Sequence, residues 1–237
     1  YAAQTSSRCL NGVAHFAHWA RGHRVDVFSL EMQRKEIARR MLAGESGIDS
    51  RAIRRRDLDE RSVERMIDTI MRMEEWPIRL DSARMSVDAI RSKVLRGIAE
   101  RGPVALVVID YIQLLTGSGK YKGNRVAEIG EITHALKDLA MEAACTVMAP
   151  AQMSRAIEGR ATPVPTLADL RESGDIENDA DKVLFMIRPD MMANGPRPDL
   201  SGYADGFSPL TIYKAKDRNG DVGEINDLLF DKRHNRI

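Results

Sequence analysis

Apolar residues run without a break from Val104 to Ile109, and the run ends on Asp110. Six apolar positions without alternation predict a strand buried on both faces, as in a parallel α/β sheet. Further strands are predicted at 25–29, 78–80, 146–149 and 182–187. Between them the apolar period changes to that of a helix. Segment 33–43 carries Ile37, Met41 and Leu42 on one face, and 59–74 forms a second helix stopped before Pro77. Ser86 caps a third helix, which Gly102-Pro103 ends. Segment 126–144 is a long helix with Ile129, Ile132, Leu136 and Leu139 as its buried stripe. A helical stretch is also predicted at 12–21. Segments 210–216 and 224–230 pair as a hairpin across Asn219-Gly220. Segments 117–125 and 155–165 read as loops, and 191–208 as an irregular insertion. Alternating strands and helices predict one α/β domain over 1–237, a mostly parallel twisted sheet flanked by helices, with a C-terminal hairpin.

Composition changes this picture little. The 237 residues, 43% hydrophobic and 30% charged, suffice for one substantial core. A net charge of +1 does not announce a nucleic-acid binder. It does not exclude one either, since a ring can hold positive charge in its pore and negative charge outside. The two cysteines, Cys9 and Cys145, have no metal-ligand spacing and form no disulfide framework, so reduced thiols in a cytoplasmic protein are expected. No apolar run approaches the roughly 18 residues of a membrane span, so no membrane partner is expected. The chain starts at Tyr1 without Met, and an upstream piece is expected.

In parallel sheets ligands bind beyond the carboxyl ends of the strands. Asp110 stands there and suits a hydrated Mg²⁺, which takes one or two carboxylates plus substrate phosphates. Taken alone, it suits a solvated strand end or helix cap equally well. Other segments decide between these: Phe28-Ser29-Leu30-Glu31-Met32, Val108-Ile109-Asp110-Tyr111-Ile112-Gln113-Leu114-Leu115, Asn124-Arg125-Val126-Ala127-Glu128-Ile129 and Ala151-Gln152-Met153-Ser154-Arg155. They are followed by Asp169-Leu170-Arg171-Glu172-Ser173-Gly174-Asp175-Ile176-Glu177 and Lys216-Asp217-Arg218-Asn219-Gly220. In order and spacing the chain resembles the C-terminal, RecA-like P-loop NTPase motor domain of DnaB-type replicative DNA helicases, over most of its length from Val25 onward.

The resemblance implies an ATP-dependent helicase that works as a homo-hexamer on single-stranded DNA, with ATP and Mg²⁺ as cofactors. It implies Glu31 as the carboxylate that activates the attacking water, Asp110 as the Mg²⁺ holder through water, and Gln152 as the polar sensor of the γ-phosphate. Lys216 and Arg218, at alternate positions leading into a turn, would reach the neighbouring subunit's ATP. Each residue also has a plainer reading. Glu31 could satisfy a helix dipole, Gln152 could be an ordinary polar strand end, and Lys216 and Arg218 could be solvated charges at a hairpin. Two loops are DNA candidates. Lys120, Lys122 and Arg125 lie in a Gly-rich basic loop with Tyr121 available for stacking, which could equally be a surface loop. Arg171 and Gly174, with Glu172 as a brace, would hold DNA phosphates, and Arg155 joins them as a basic candidate. The acidic run at 175–181 reads as the start of a short helix.

One departure stands out. No Gly-Lys-Ser/Thr phosphate loop precedes the strand at Val25. Either the loop lies upstream of Tyr1, or Thr5-Ser6-Ser7 stands in its place and the site is degenerate. The family's helical N-terminal collar, through which primase and a loader would bind, also has no counterpart here. The alternative function is a nucleotide-dead paralogue that joins or regulates a helicase ring.

Overall fold

The computed structural model describes residues 22–154, 157, 160, 164–170, 174–188, 202–234, 236 and 237. Four strands, β1 (Arg24–Ser29), β2 (Ile78–Asp81), β3 (Val104–Asp110) and β4 (Thr146–Met148), make one sheet in the order β2-β1-β3-β4. All three pairings are parallel, and β1 and β3 run in register so that Ser29 lies beside Asp110. The predicted both-face burial holds. On one face Val25, Val27, Leu106 and Val108 pack with Ile37 and Met41 of helix α1 (Arg34–Ser46). On the other, Phe28, Val107 and Ile109 pack with Ile90 and Val94 of α4 (Val87–Arg101). Ile129, Ile132, Leu136 and Leu139 of α5 (Arg125–Glu142) complete that core.

The caps that the sequence advertises are made. Ser86 accepts from the Ala89 N–H at the start of α4, and Gly102 ends the helix at a positive φ that suits glycine. Arg24, almost buried, reinforces that end. It donates to the Gly102 carbonyl at 2.8 Å and pairs with the fully buried Asp26 at 3.1 Å. Two further helices follow α1: α2 (Ser50–Arg55) and α3 (Glu60–Glu74). Helix α2 has no counterpart in the periodicity. It is started by Asp49, which accepts from the Arg51 N–H, rather than by an apolar stripe. Helix α3 keeps Val63, Ile67, Ile70 and Met71 on its surface, 37%, 50%, 40% and 63% exposed.

The C-terminal part forms a second, antiparallel sheet of β5 (Lys182–Ile187), β6 (Phe207–Asp217) and β7 (Gly223–Asp231), in the order β5-β6-β7. The hairpin is longer than predicted, because β6 begins at Phe207 within the segment expected to be irregular. Pro209 lies where β6 pairs with β7 alone, since β5 joins it only from Thr211 onward, and such a half-paired position tolerates proline. Val183, Phe185 and Ile187 share the core of α4 and α5, so the two sheets are packed into one body. The acidic run does form a short helix, α6 (Gly174–Asp179), lying against α5. The predicted helix at 12–21 and most of the 191–208 insertion lie outside the described residues. Among the described residues no helix is long and apolar enough to cross a membrane.

The close approach of α6 to α5 rests on Gly130. A Cβ there would collide with Asp175 Oδ2 and sit 3.0 Å from its Cγ. Gly130→Ala is therefore expected to lower stability by no more than about 1 kcal/mol, the cost of moving the Asp175 carboxylate being offset in part by alanine's higher helix propensity. The urea midpoint measures this, and an added Asp175→Ala should recover most of it. No recovery would mean that the penalty arises elsewhere.

Candidate nucleotide and DNA site

The candidate site grows from the carboxyl ends of β1 and β3. Their ladder continues one residue further, with the Leu30 N–H donating to the Asp110 carbonyl at 2.8 Å. This places Glu31 and Asp110 on adjacent strand exits. Asp110 is fully buried, with both carboxylate oxygens out of contact with solvent. Glu31 is exposed, and the Ser29 hydroxyl accepts from the Met32 N–H, which closes the turn around it. Tyr111 follows a cis Asp110–Tyr111 peptide and feels both acids. Burial, and then the charges of Glu31 and Asp110, push its hydroxyl above the ordinary tyrosine range, against a smaller opposing pull from Arg84. Two carboxylates thus act on one phenol, one enclosed and one open to solvent. Such a pair matches what nucleotide hydrolysis asks for: an acid where a cation's charge is little screened, and another that can reach water.

The donor set fits Mg²⁺ of the water- and phosphate-rich kind, which needs few protein ligands. Among the described residues no group of three or more His, Cys, Asp or Glu is placed to form a protein-only metal cage.

Gln152 follows β4 on the neighbouring strand exit. Its main chain is held at both ends by one side chain: its N–H donates to Gln113 Oε1 at 3.0 Å, and its carbonyl accepts from Gln113 Nε2 at 3.3 Å. Next to it, the Ser154 N–H donates to the Asp169 carbonyl at 2.8 Å, and Met153 bridges to Leu170. Asp169 is buried. Burial raises its pKa, but the Arg160 guanidinium and the Thr166 donors outweigh this and hold the carboxyl below its usual range. The segment after β4 is therefore tied directly to residues 169 and 170.

Lys216 and Arg218 do point to one side, and both meet the end of α6. Lys216 donates to the Glu177 carbonyl at 2.5 Å, and Arg218 to the Asn178 carbonyl at 3.2 Å. Arg218 also pairs with Asp181 at 2.9 Å, and Lys137 hydrogen-bonds that same carboxylate. The Lys137 hydrogen bond, with the charges of Arg218 and Lys216, holds Asp181 below the usual carboxylate range. Both basic residues thus engage α6 and Asp181 rather than the acids at the exits of β1 and β3.

In the loop before α5, Lys120 and Lys122 are exposed, and the Lys120 ammonium lies 5.1 Å from the Tyr121 ring centroid. The loop is pinned at its base: the Gly117 N–H donates to Glu128 at 3.0 Å and the Ser118 N–H to Glu131 at 3.1 Å. Arg125 is held within the chain. Its guanidinium turns inward to the Gln113 carbonyl at 2.8 Å, the Leu115 carbonyl at 3.4 Å and Glu128 at 2.5 Å, because the turn after β3 leaves those carbonyls without helical partners. Gly174 is exposed as the first residue of α6, while Arg155, Arg171 and Glu172 lie outside the described residues. Tyr111, Arg84 and Gln113 join the site beyond the sequence candidates. Tyr111 and Gln113 stand in the motif that carries Asp110, whereas Arg84 had only its place beyond the end of β2 as a signal.

A family model described as the DnaB-like helicase C terminal domain matches residues 5–237. The chain belongs to the DnaB-like helicase C-terminal domain family. It is 36% identical over 211 residues to the probable replicative DNA helicase of Trieres chinensis, and 35% identical over 214 residues to the replicative DNA helicase DnaC of Bacillus subtilis strain 168. These alignments cover 89% and 90% of the chain, which spans 45% of the length of each relative. The DnaB-like fold also matches the solved structure of an ATPase domain, with a TM-score of 0.86 and 29% identity over 98% of this chain and 79% of that one. A second solved structure, of a DnaB-like replicative helicase and its interactions with primase, matches with a TM-score of 0.80 and 31% identity over 90% of this chain and 50% of that one.

Proposed function

We propose that this domain is the ATP-driven motor of a replicative DNA helicase, assembled as a hexameric ring that moves along single-stranded DNA. The observation that carries the reading is the pairing of Glu31 and Asp110 on adjacent strand exits, one exposed and one enclosed, both acting on Tyr111. In this reading Asp110 holds Mg²⁺ through water, and the ion neutralises phosphate charge. Glu31 orients the attacking water and takes its proton. Gln152, an amide that both donates and accepts, contacts the γ-phosphate or that water. Lys216 and Arg218 serve the site of the neighbouring subunit, leaving their in-chain contacts with α6 and Asp181 when they do so. DNA phosphates would lie against Lys120, Lys122 and the 171–174 segment, with Arg155 nearby. Phosphate contacts carry no sequence information, as a processive motor requires. Primase and a loader would engage the full-length protein.

The test is the ATPase rate of the full-length protein with and without single-stranded DNA, across protein concentration. DNA-stimulated turnover that rises with concentration supports a motor built from several subunits. No turnover, with ring or DNA binding intact, replaces it with a passive ring member. For the DNA loop, the Lys120→Ala, Lys122→Ala double variant should reduce the salt slope of single-strand binding by about 0.7 for each phosphate no longer neutralised. An unchanged slope removes both lysines from the interface.

A further inference from the structure

Gln113 makes hydrogen bonds that the proposed hydrolysis does not by itself require. Its side chain commits both its donor and its acceptor to the main chain of one residue, Gln152, 39 positions away. Its own carbonyl is gripped by Arg125 at 2.8 Å. Arg125 in turn closes on Glu128, which receives the Gly117 N–H at the base of the basic loop. That hydrogen bond from Gly117, and then the Arg125 pairing, hold Glu128 below the usual carboxylate range. A second link runs parallel: the Ile112 N–H donates to the Pro150 carbonyl at 3.0 Å. The turn 112–114 therefore stands between the 116–124 loop and the exit of β4, with the Gln113 side chain bonded directly to Gln152.

We infer that Gln113 is a positioning residue that ties Gln152 to the 116–124 loop, with Arg125 as its brace. This rests on the proposed motor reading for its purpose, though not for its geometry. A shift of the loop moves Arg125, Arg125 moves the Gln113 carbonyl, and the Gln113 amide carries Gln152 with it. The loop has this route to Gln152, while Asp169 and Leu170 are linked to the residues just after it by the Ser154–Asp169 and Met153–Leu170 contacts. Arg125 contributes as a brace between main-chain carbonyls rather than as a phosphate ligand.

The experiment is amide hydrogen exchange at Gln152 in the full-length protein, beside its ATPase kinetics. Gln113→Leu removes both bonds and should speed exchange at Gln152 at least about tenfold, since a protecting hydrogen bond is removed. Gln113→Glu keeps an acceptor for that N–H but sets a carboxylate oxygen against the Gln152 carbonyl, so its exchange should fall between wild type and Gln113→Leu, a grading that failure to fold would not produce. Arg125→Ala touches no atom of Gln152, yet it should also speed exchange there. Exchange at Gln152 unchanged in Arg125→Ala overturns the brace. In turnover, Gln113→Leu should lower kcat and remove stimulation by DNA while leaving the KM for ATP within about twofold, the pattern of an interaction used after binding. Full DNA stimulation in Gln113→Leu overturns the positioning role. The exchange measurement needs no turnover, so a wild type without ATPase activity would remove the motor reading and leave this test standing.

Discussion

Glu31→Gln should abolish ATP hydrolysis while leaving ATP binding in place. The amide keeps the size and exposure of the carboxylate but cannot take a proton from water. Loss of a positioned general base costs about 10²- to 10⁴-fold in rate. Binding should survive because Asp110, the enclosed acid, is the residue proposed to serve the metal and phosphates. Burial of Asp110 at 0% exposure sets a contrast: Asp110→Asn should weaken Mg²⁺-dependent nucleotide binding as well as turnover. Steady-state turnover and equilibrium binding of a fluorescent ATP analogue separate the two. Retained turnover in Glu31→Gln would take Glu31 out of the chemistry and return it to the plainer role of favouring the start of α1.

Arg218→Ala should be at least as damaging, by a different route. A guanidinium supplied in trans can be worth about 10³- to 10⁵-fold. Within one chain Arg218 caps the end of α6 and pairs with Asp181, rather than with the acids on β1 and β3. The decisive measurement mixes two variants that are each inactive, Glu31→Gln and Arg218→Ala. In a mixed ring, a site with Glu31 from an Arg218→Ala subunit and Arg218 from a Glu31→Gln neighbour is complete, so turnover should return. If both residues acted within one chain, no mixed site would be complete and the mixture would stay inactive. Lys216→Ala should follow the same complementation pattern.

The parallel sheet was legible because burial on both faces leaves a signature no surface strand has, and Val104 to Ile109 carries it in full. Helix α4 was legible from its ends, Ser86 and Gly102, as much as from its stripe. Helix α2 was not: Arg51, Arg54 and Arg55 surround a single Ile53, so no period marks it, and one aspartate cap starts it. The pairing of β5 with β6 was open for a related reason. A strand's pattern tells which face is buried, but not which edge it joins. At the site, single residues on strand exits could be read, since the position of an acid after an apolar run is local information. Gln113 and Arg125 could not. Their partners are mostly main-chain carbonyls and N–H groups, which nearly every residue carries and no sequence pattern distinguishes. A cation in a Gly-rich loop reads as solvent-facing unless the turn that captures it is known.

The outer face of α3 has a practical consequence. Val63, Ile67, Ile70 and Met71 recur at helical spacing and stay open to water, while acidic and basic residues alternate around them. Net charge near zero gives little mutual repulsion to keep such faces apart. Purified as a lone domain, the protein will be colloidally fragile: its solubility will fall as sulfate is added, since excluded salts strengthen apolar association. A single lysine at Ile67, in the middle of that stripe, is the smallest change that should keep concentrated solutions clear.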